Sequence, residues 1–118
     1  MILERMSISA PGKLRHELGS ALASLIEPTQ VQPGCLSCRV SEDWQSSGEL
    51  SVEAQWETIH DLTRHLQSDT YKSLLLLMEL SPLAPRLVFY TVSETRGLDL
   101  VEEARNCPSG TDMKRSEP

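Results

Sequence analysis

The pattern of apolar and polar residues changes its period once between Leu50 and Tyr71, and the other elements are arranged around that change. Alternate residues from Leu50 to Trp56 are apolar, as in a strand with one buried face. Thr58 then supplies an N-cap oxygen, with Asp61 three residues later. The apolar residues that follow at helical spacing are Ile59, Leu62 and Leu66. This stretch therefore predicts a strand and a capped helix, with a further helix beginning near Tyr71.

The N-terminal half of the chain predicts two more strands and one helix. Residues 2–9 alternate as a first strand. An apolar stripe at i, i+4, i+7 and i+8 predicts a helix from Lys13 to Ile26, which Pro28 is expected to end. A second strand is expected to begin at Cys35, and residues 46–48 are expected to turn the chain into the third strand.

The C-terminal half completes a recognisable order of elements. Leu74 to Met78 is apolar all round a helix, and the last strand is predicted from Arg86 to Glu94. The predicted order is β-α-β-β-α-β with the second helix split in two, which is the α+β ferredoxin-like motif. We predict one domain over residues 1–94 and a polar tail over residues 95–118, with a short helix at 98–105.

The last strand predicts a partner. In the ferredoxin-like order it is an edge strand, and exposed edge strands are usually short or charged on one face. Here both faces are apolar: Leu87 and Phe89 lie on one, and Val88, Tyr90 and Val92 lie on the other. A second copy that covers the edge and the second face would explain this pattern, and two-fold homodimers are the commonest assemblies. We therefore expect a homodimer.

Composition excludes several classes of partner. The chain has 118 residues, a net charge of -6 and a pI near 5.0, which argues against binding to nucleic acid or to an anionic membrane surface. No apolar run approaches the length of about 20 residues that a membrane span requires. Three cysteines leave one unpaired in any disulfide scheme, which favours a reducing compartment. We expect a cytoplasmic protein.

The cysteines and histidines differ in what they predict. Cys35 and Cys38 form a CxxC, but no second ligand pair exists for zinc, and an offset of three on a strand places the two side chains on opposite faces. His16 and His60 point away from the apolar stripes and are expected to face solvent. His65 lies at the edge of its stripe. It is either a boundary histidine satisfied by a backbone carbonyl or a proton donor, acceptor or axial ligand with a pKa near neutrality.

Aromatic and apolar side chains offer a candidate ligand site. Trp56 ends the third strand on its apolar face, as a core residue or as a wall on which a flat ligand stacks. Tyr71, six residues after His65, is a candidate hydroxyl partner. Met6 of the first strand and Phe89 of the last complete the expected substrate-binding set with Trp56.

Five short motifs make the chain resemble the antibiotic biosynthesis monooxygenase family. They are Pro11-Gly12-Lys13, Glu27-Pro28-Thr29, Pro33-Gly34-Cys35, Gln55-Trp56-Glu57, and His65-Leu66 with Ser68 and Tyr71. The resemblance covers residues 1–94 and implies a dimeric α+β barrel that binds aromatic polyketides, quinols or haem between its helices and one sheet face. Many members oxidise their ligand with molecular oxygen and no added metal or flavin, so the resemblance implies no cofactor and a small aromatic ligand.

The chain departs from two groups in this family. The haem-degrading group has a strand asparagine, a helix tryptophan and a helix histidine, and the matching positions here are Arg5, His65 and Leu75. The axial histidine of that group is therefore missing. The polyketide-oxidising group also uses an asparagine, but Asn106, in the tail, is the only asparagine of this chain. Arg5 or His65 would have to replace the missing amide.

Two hypotheses about function follow. The first is a cofactor-independent monooxygenase that acts on a quinol-like or phenolic aromatic. In it Trp56 stacks on the ligand, His65 is the base, Tyr71 orients the ligand, and Arg5 is a further catalytic candidate. The alternative is a non-catalytic dimeric module that binds or senses a hydrophobic small molecule.

Overall fold

The computed structural model describes residues 1–45 and 48–106. Most of the predicted turn at residues 46–48 and the tail beyond residue 106 lie outside these ranges. The strands are β1 (Ile2–Ser9), β2 (Cys35–Glu42), β3 (Glu49–Trp56) and β4 (Arg86–Thr91). The helices are α1 (Lys13–Ala23), α2 (Ile26–Gln30), α3 (Ile59–Leu66), α4 (Asp69–Met78) and α5 (Leu98–Arg105).

The strands form one antiparallel sheet in the order β2-β3-β1-β4. The predicted α+β ferredoxin-like fold is therefore confirmed, with the first and third strands in the centre and the second and fourth at the edges. Among the residues that the structure describes, no helix has both the length and the apolarity that crossing a membrane requires.

The core lies between one face of the sheet and the helices. Alternation buries every second residue of β1 and β3, and paired residues such as Met6 and Val52 share a face. The helices cover this face with apolar side chains. The buried ones are Leu18, Leu22, Leu62, Tyr71, Leu74 and Met78.

The first predicted helix is divided into two. α1 ends at Ala23, and α2 begins at Ile26. Pro28 does not end the helix, as the sequence suggested, because it is the third residue of α2, and amides in a first helical turn have no acceptor within the helix. The helix expected to begin near Tyr71 begins at Asp69, because Ser68 caps it.

The Thr58 cap of α3 is confirmed, but the buried face of that helix differs from the prediction. The Thr58 side chain accepts a hydrogen bond from the Asp61 amide at 3.1 Å. Ile59 is exposed, whereas Leu62 and His65 are buried. The buried face is therefore rotated away from the first residue of the helix, and His65 lies inside it rather than at its edge.

A β-bulge changes the faces of the CxxC. Cys35 pairs with Trp56 while Ser37 pairs with Gln55, so Leu36 is an extra residue in β2, and it is exposed. As a result Cys35 and Cys38 lie on the same face, and the prediction of opposite faces is wrong. Burial raises the pKa of both thiols, that of Cys38 to about 12, which makes them weak nucleophiles at neutral pH.

The C-terminal elements lie outside the core. β4 ends at Thr91, three residues before the predicted end, and all six of its residues are exposed. α5 has no buried residue. Within the part of the chain that the structure describes, these two elements are thus not packed into the core that the other helices cover.

Candidate functional site

Three of the predicted site residues meet beneath the helices. Trp56 is fully buried at the end of β3, and its indole stacks on the His65 imidazole with ring centroids 4.4 Å apart and an interplanar angle of 24°. The His65 ring in turn meets the edge of the Tyr71 ring at 5.0 Å. A strand end, a helix and the next helix therefore place Trp56, His65 and Tyr71 in one buried aromatic cluster.

Glu4 of β1, which is not among the predicted site residues, is the central polar group of this cluster. Its side chain is 3% exposed. The Trp56 Nε1–H donates to Glu4 Oε1 at 3.4 Å, and His65 Nε2 lies 3.6 Å from the same oxygen. The signal was present, since Glu4 is the one charged residue on the apolar face of a central strand.

Gln32 fixes the orientation of His65 from the loop between α2 and β2. The amide of Gln32 donates from Nε2 to Ser68 Oγ at 3.4 Å, and Ser68 donates to the His65 carbonyl at 2.6 Å. That network leaves Gln32 Oε1 as the acceptor for His65 Nδ1, at 2.7 Å. His65 therefore carries its proton on Nδ1, and the lone pair of Nε2 faces Glu4.

Gly34 lets this loop approach α3 closely. Its φ of 79° lies in the left-handed region, and a Cβ at this position would overlap the Asp61 side chain. The Gly34 carbonyl accepts from the Glu57 amide at 2.9 Å. Gly34 thus holds the loop near the α3 N-terminus, two residues from the Gln32 that orients His65.

Burial favours the neutral form of both members of the Glu4–His65 pair. It lowers the pKa of His65 to about 4, well below the near-neutral value expected from the sequence. It also raises the pKa of Glu4, against the opposing effects of the Trp56 N–H and the Tyr71 hydroxyl. An ionised Glu4 would place its charge against the His65 lone pair, and a single proton between the two groups would remove that repulsion.

Two buried polar atoms of the cluster make no hydrogen bond of normal length and angle with the described residues. They are Glu4 Oε2 and the Tyr71 hydroxyl. The Tyr71 hydroxyl is nevertheless close enough to Glu4 for a weak contact between the two side chains to lower the pKa of Glu4. The pKa of Tyr71 is raised by burial, by the Glu4 charge and by that same contact. Because an unsatisfied buried polar group costs about 1–3 kcal/mol, a missing hydrogen-bonding group is expected here.

A small cavity adjoins Glu4 and His65. Its volume is about 20 Å³, and its lining includes Glu4, His65, Leu25 and Ile26. One water needs about 10–15 Å³, so a ring must displace side chains to enter. Leu25 and Ile26, at the junction of α1 and α2, are only partly buried, so their side chains can move aside to admit a ring. Trp56 does not line this cavity, although its ring stacks on His65.

The remaining predicted residues lie at different places. Met6 is buried on the same face of β1 as Glu4, and Phe89 is the β4 partner of Glu4, 41% exposed on that face. Arg5 lies on the opposite face, because neighbouring strand residues point to opposite sides. There it pairs with Glu53 at 2.6 Å. Arg5 and His65, the two candidates for the role of the missing amide, therefore lie on opposite sides of the sheet.

The other two histidines, His16 and His60, are exposed, as expected. In the described part of the chain, His65 is therefore the one histidine that contributes to the buried cluster.

Comparisons with known proteins agree with this architecture. A family model described as antibiotic biosynthesis monooxygenase matches residues 1–74. A candidate antibiotic biosynthesis monooxygenase from Deinococcus radiodurans is 21% identical, with a TM-score of 0.74 over 82% of this chain and 97% of the other. A Mycobacterium tuberculosis protein is 20% identical, with a TM-score of 0.72 over 81% and 98%. A conserved Methanosarcina mazei protein is 23% identical, with a TM-score of 0.69 over 75% and 89%.

At these identities the similarity to the solved structures shows a shared fold. No curated protein matches the chain at a significant level.

Proposed function

The chain belongs to the antibiotic biosynthesis monooxygenase family, and on that premise we propose that its buried cluster binds a small phenolic or quinol-like aromatic and oxidises it with molecular oxygen. No metal or flavin takes part in this proposal, because the ligand itself supplies the electrons. One observation carries it: the Trp56–His65 stack at 4.4 Å lies beside a buried carboxyl group, between the helices and the sheet.

The residues of the cluster have different roles in binding. A flat ring that enters past Leu25 and Ile26 meets His65 in the cavity lining. Trp56 holds the His65 ring in place, and Gln32 fixes the tautomer of that ring. Stacking on a ring that cannot turn fixes the plane of the ligand with little further loss of freedom.

The chemistry depends on removing a proton from the ligand. A phenol has a pKa near 10, so little phenolate exists at neutral pH, and the phenolate is the better electron donor to oxygen. The Glu4–His65 pair lies where that proton can be accepted. General-base assistance of this kind typically contributes about 10²- to 10⁴-fold to the rate.

Oxygen uptake tests the proposal. Metal-free protein is assayed with a panel of hydroquinones and dihydroxynaphthalenes, and His65→Ala is expected to lower turnover by about 10²- to 10⁴-fold. His60→Ala is the matched control, since it removes an exposed histidine from the same helix. The oxygenase is excluded if no substrate gives uptake above the uncatalysed rate, or if the two variants behave alike.

A second function is favoured by the size of the cavity. A volume of about 20 Å³ admits no aromatic ring without rearrangement, and a His65 pKa of about 4 makes that imidazole a weak base by itself. Both facts suit a module that closes around a hydrophobic molecule and does not transform it. Tight binding of an aromatic with no oxygen uptake would identify this function.

We also propose that the functional unit is a homodimer. All six residues of β4 are exposed, and four of them in succession are apolar: Leu87, Val88, Phe89 and Tyr90. α5 likewise presents Leu98 and Val101 to solvent. A second copy that covers these surfaces would remove an apolar area that monomeric proteins rarely leave exposed.

A further inference from the structure

We propose that Glu4 accepts the proton of the ligand and that Glu4 Oε2 and the Tyr71 hydroxyl together bind one hydroxyl group of that ligand. This inference rests on the proposed function and changes the base from His65 to Glu4. It also gives the ligand a required chemical feature, a hydroxyl attached to the ring that the cavity admits.

The two unpartnered atoms define what the ligand must carry. Glu4 is 3% exposed and Tyr71 is 4% exposed, yet Glu4 Oε2 and the Tyr71 hydroxyl make no hydrogen bond of normal geometry with the described residues, and only a weak contact links the two side chains. A carboxylate oxygen needs a donor, and a phenolic O–H needs an acceptor. A ligand hydroxyl meets both needs with one atom. An ether or a carbonyl cannot donate, and an ammonium group cannot accept.

The hydrogen bonds of the cluster favour Glu4 over His65 as the acceptor. His65 Nδ1 donates to Gln32, and the Nε2 lone pair already faces Glu4 Oε1 at 3.6 Å. Glu4 Oε1 is further held by the Trp56 N–H. Glu4 Oε2 accepts no hydrogen bond of normal geometry from the described residues, so it is the acceptor open to the ligand. His65 is then a positioning residue, because its ring is stacked on Trp56 and packs beside the carboxyl group.

The proton transfer starts from the ionised form of Glu4, which exists above its raised pKa, and it conserves the buried charge. The O–H bond of the ligand breaks, its proton binds Glu4 Oε2, and the ligand oxygen keeps the electron pair and accepts the Tyr71 O–H. The negative charge therefore moves from the carboxylate to the ligand oxygen, and no additional charge is buried. Burial raises the pKa of Glu4, so it is a stronger base than an exposed carboxylate.

The cavity already has the size of the group to be recognised. Its volume of about 20 Å³ beside Glu4 accommodates a water or a hydroxyl. The ring of the ligand requires displacement of Leu25 and Ile26, whereas its hydroxyl enters space that is already present.

A matched pair of probes tests the inference by equilibrium dialysis. 1-Naphthol and 1-methoxynaphthalene differ by one methyl group, and only the first can donate to Glu4. The wild-type protein is expected to prefer 1-naphthol by about 10- to 100-fold, as a hydrogen bond to a buried carboxylate implies. Glu4→Gln and Tyr71→Phe are each expected to reduce this preference to within about threefold.

Two control variants make the same chemical changes on the other face of the sheet. Glu53→Gln removes a carboxylate from β3, and Tyr90→Phe removes a phenolic hydroxyl from β4. Both are expected to keep the wild-type preference. Circular dichroism checks that all four variants keep the wild-type fold.

A pH series on the wild-type protein adds a test that needs no variant. The preference is expected to fall as pH decreases through the raised pKa of Glu4, because a protonated carboxyl group is a poorer acceptor. Glu4→Gln should show no such dependence. If Glu4 had only a structural role, the preference of the wild-type protein for 1-naphthol would not change with pH in this way.

The outcomes separate this inference from the proposed function. A hydroxyl preference that depends on Glu4 without any oxygen uptake would leave the Glu4–Tyr71 site standing and exclude the oxygenase. Oxygen uptake with an unchanged preference in Glu4→Gln would overturn the site and leave the oxygenase. Failure of 1-naphthol to bind more tightly than its ether would also overturn the site.

Discussion

On the helix-covered face of the sheet Trp56 is fully buried and Glu4 is 3% exposed, whereas Val88 and Tyr90 on the opposite face are 42% and 43% exposed. The same two-residue alternation produces both faces. The covered face carries the buried cluster with its two unpartnered atoms, and the open face carries surface ion pairs such as Arg5–Glu53. Periodicity therefore sorts side chains between faces, but the helices decide which face becomes a core.

The difference also separates two kinds of missing partner. The covered face has a cavity of about 20 Å³, and the proposal for it is a ligand hydroxyl. The open face has the exposed elements β4 and α5 beside it, and the proposal for these surfaces is a second copy of the chain. A small ligand and a second copy are thus expected at different places. Four experiments test this distinction.

The largest effect is expected from removing the core of the covered face. Trp56→Ala should lower the free energy of unfolding by about 3–5 kcal/mol, because it leaves a large cavity against His65 and the sheet. Trp44→Ala is the control, since Trp44 is 94% exposed and should change stability by less than about 0.5 kcal/mol. Urea denaturation measures both. Equal effects would contradict the burial of the cluster.

The next effect concerns the open face. Val88→Lys should weaken the homodimer by roughly 100-fold, about 3 kcal/mol, because it would bury an unpaired charge at the interface. Val31→Lys makes the same substitution at an exposed position outside the sheet and should leave association unchanged. Sedimentation equilibrium measures the dissociation constant. A wild-type protein that stays monomeric at micromolar concentration would refute the dimer.

The pH dependence of stability should separate the two members of the Glu4–His65 pair. Burial lowers the pKa of His65 from 6.5 to about 4, so in that range the unfolded chain binds a proton that the folded chain does not, and stability rises with pH. Burial raises the pKa of Glu4 above 4.5, so above that pH the folded chain retains a proton that the unfolded chain has lost, and stability falls with pH. The two slopes oppose each other.

Each single variant should reveal the slope of the other residue. Glu4→Gln should make stability rise between about pH 4 and 6.5, and His65→Gln should make it fall above about pH 4.5, each by at most about 1.4 kcal/mol per pH unit. Urea titrations over this range measure both slopes. Glu53→Gln is the control for Glu4→Gln and His60→Gln is the control for His65→Gln, because each makes the same substitution at an exposed or partly exposed position. Slopes of the same sign in the two variants would show that the groups do not oppose each other.

The smallest effect is expected at Arg5. It pairs with Glu53 on the open face and lies 5.8 Å from the centre of the Tyr90 ring, away from the cavity. Arg5→Ala should therefore change stability by about 0–1 kcal/mol and leave 1-naphthol binding within about twofold. A large loss of 1-naphthol binding would instead show that the two faces of the sheet act on one ligand.

The sequence by itself determined the order of the elements, the cap at Thr58 and the inward direction of Trp56. These features depend on local rules: alternation in strands, the 3.6-residue period of helices and side-chain capping. The glutamate on the apolar face of β1 was visible in the same way, although its role was not. The division of the first helix into α1 and α2 and the bulge in β2 were not predicted. A proline in a first helical turn and a one-residue bulge leave little local signal in a sequence.

Only the tertiary structure decided which residues form the site. Gln32 meets His65 across 33 positions of sequence, and Trp56 meets Glu4 across 52. No periodic pattern specifies such pairs, because they depend on how a loop held by Gly34, a central strand and a helix pack together. The pKa values follow from the same packing: a histidine expected near neutrality is held at about 4, since the helices that cover it remove the water that would stabilise its charge.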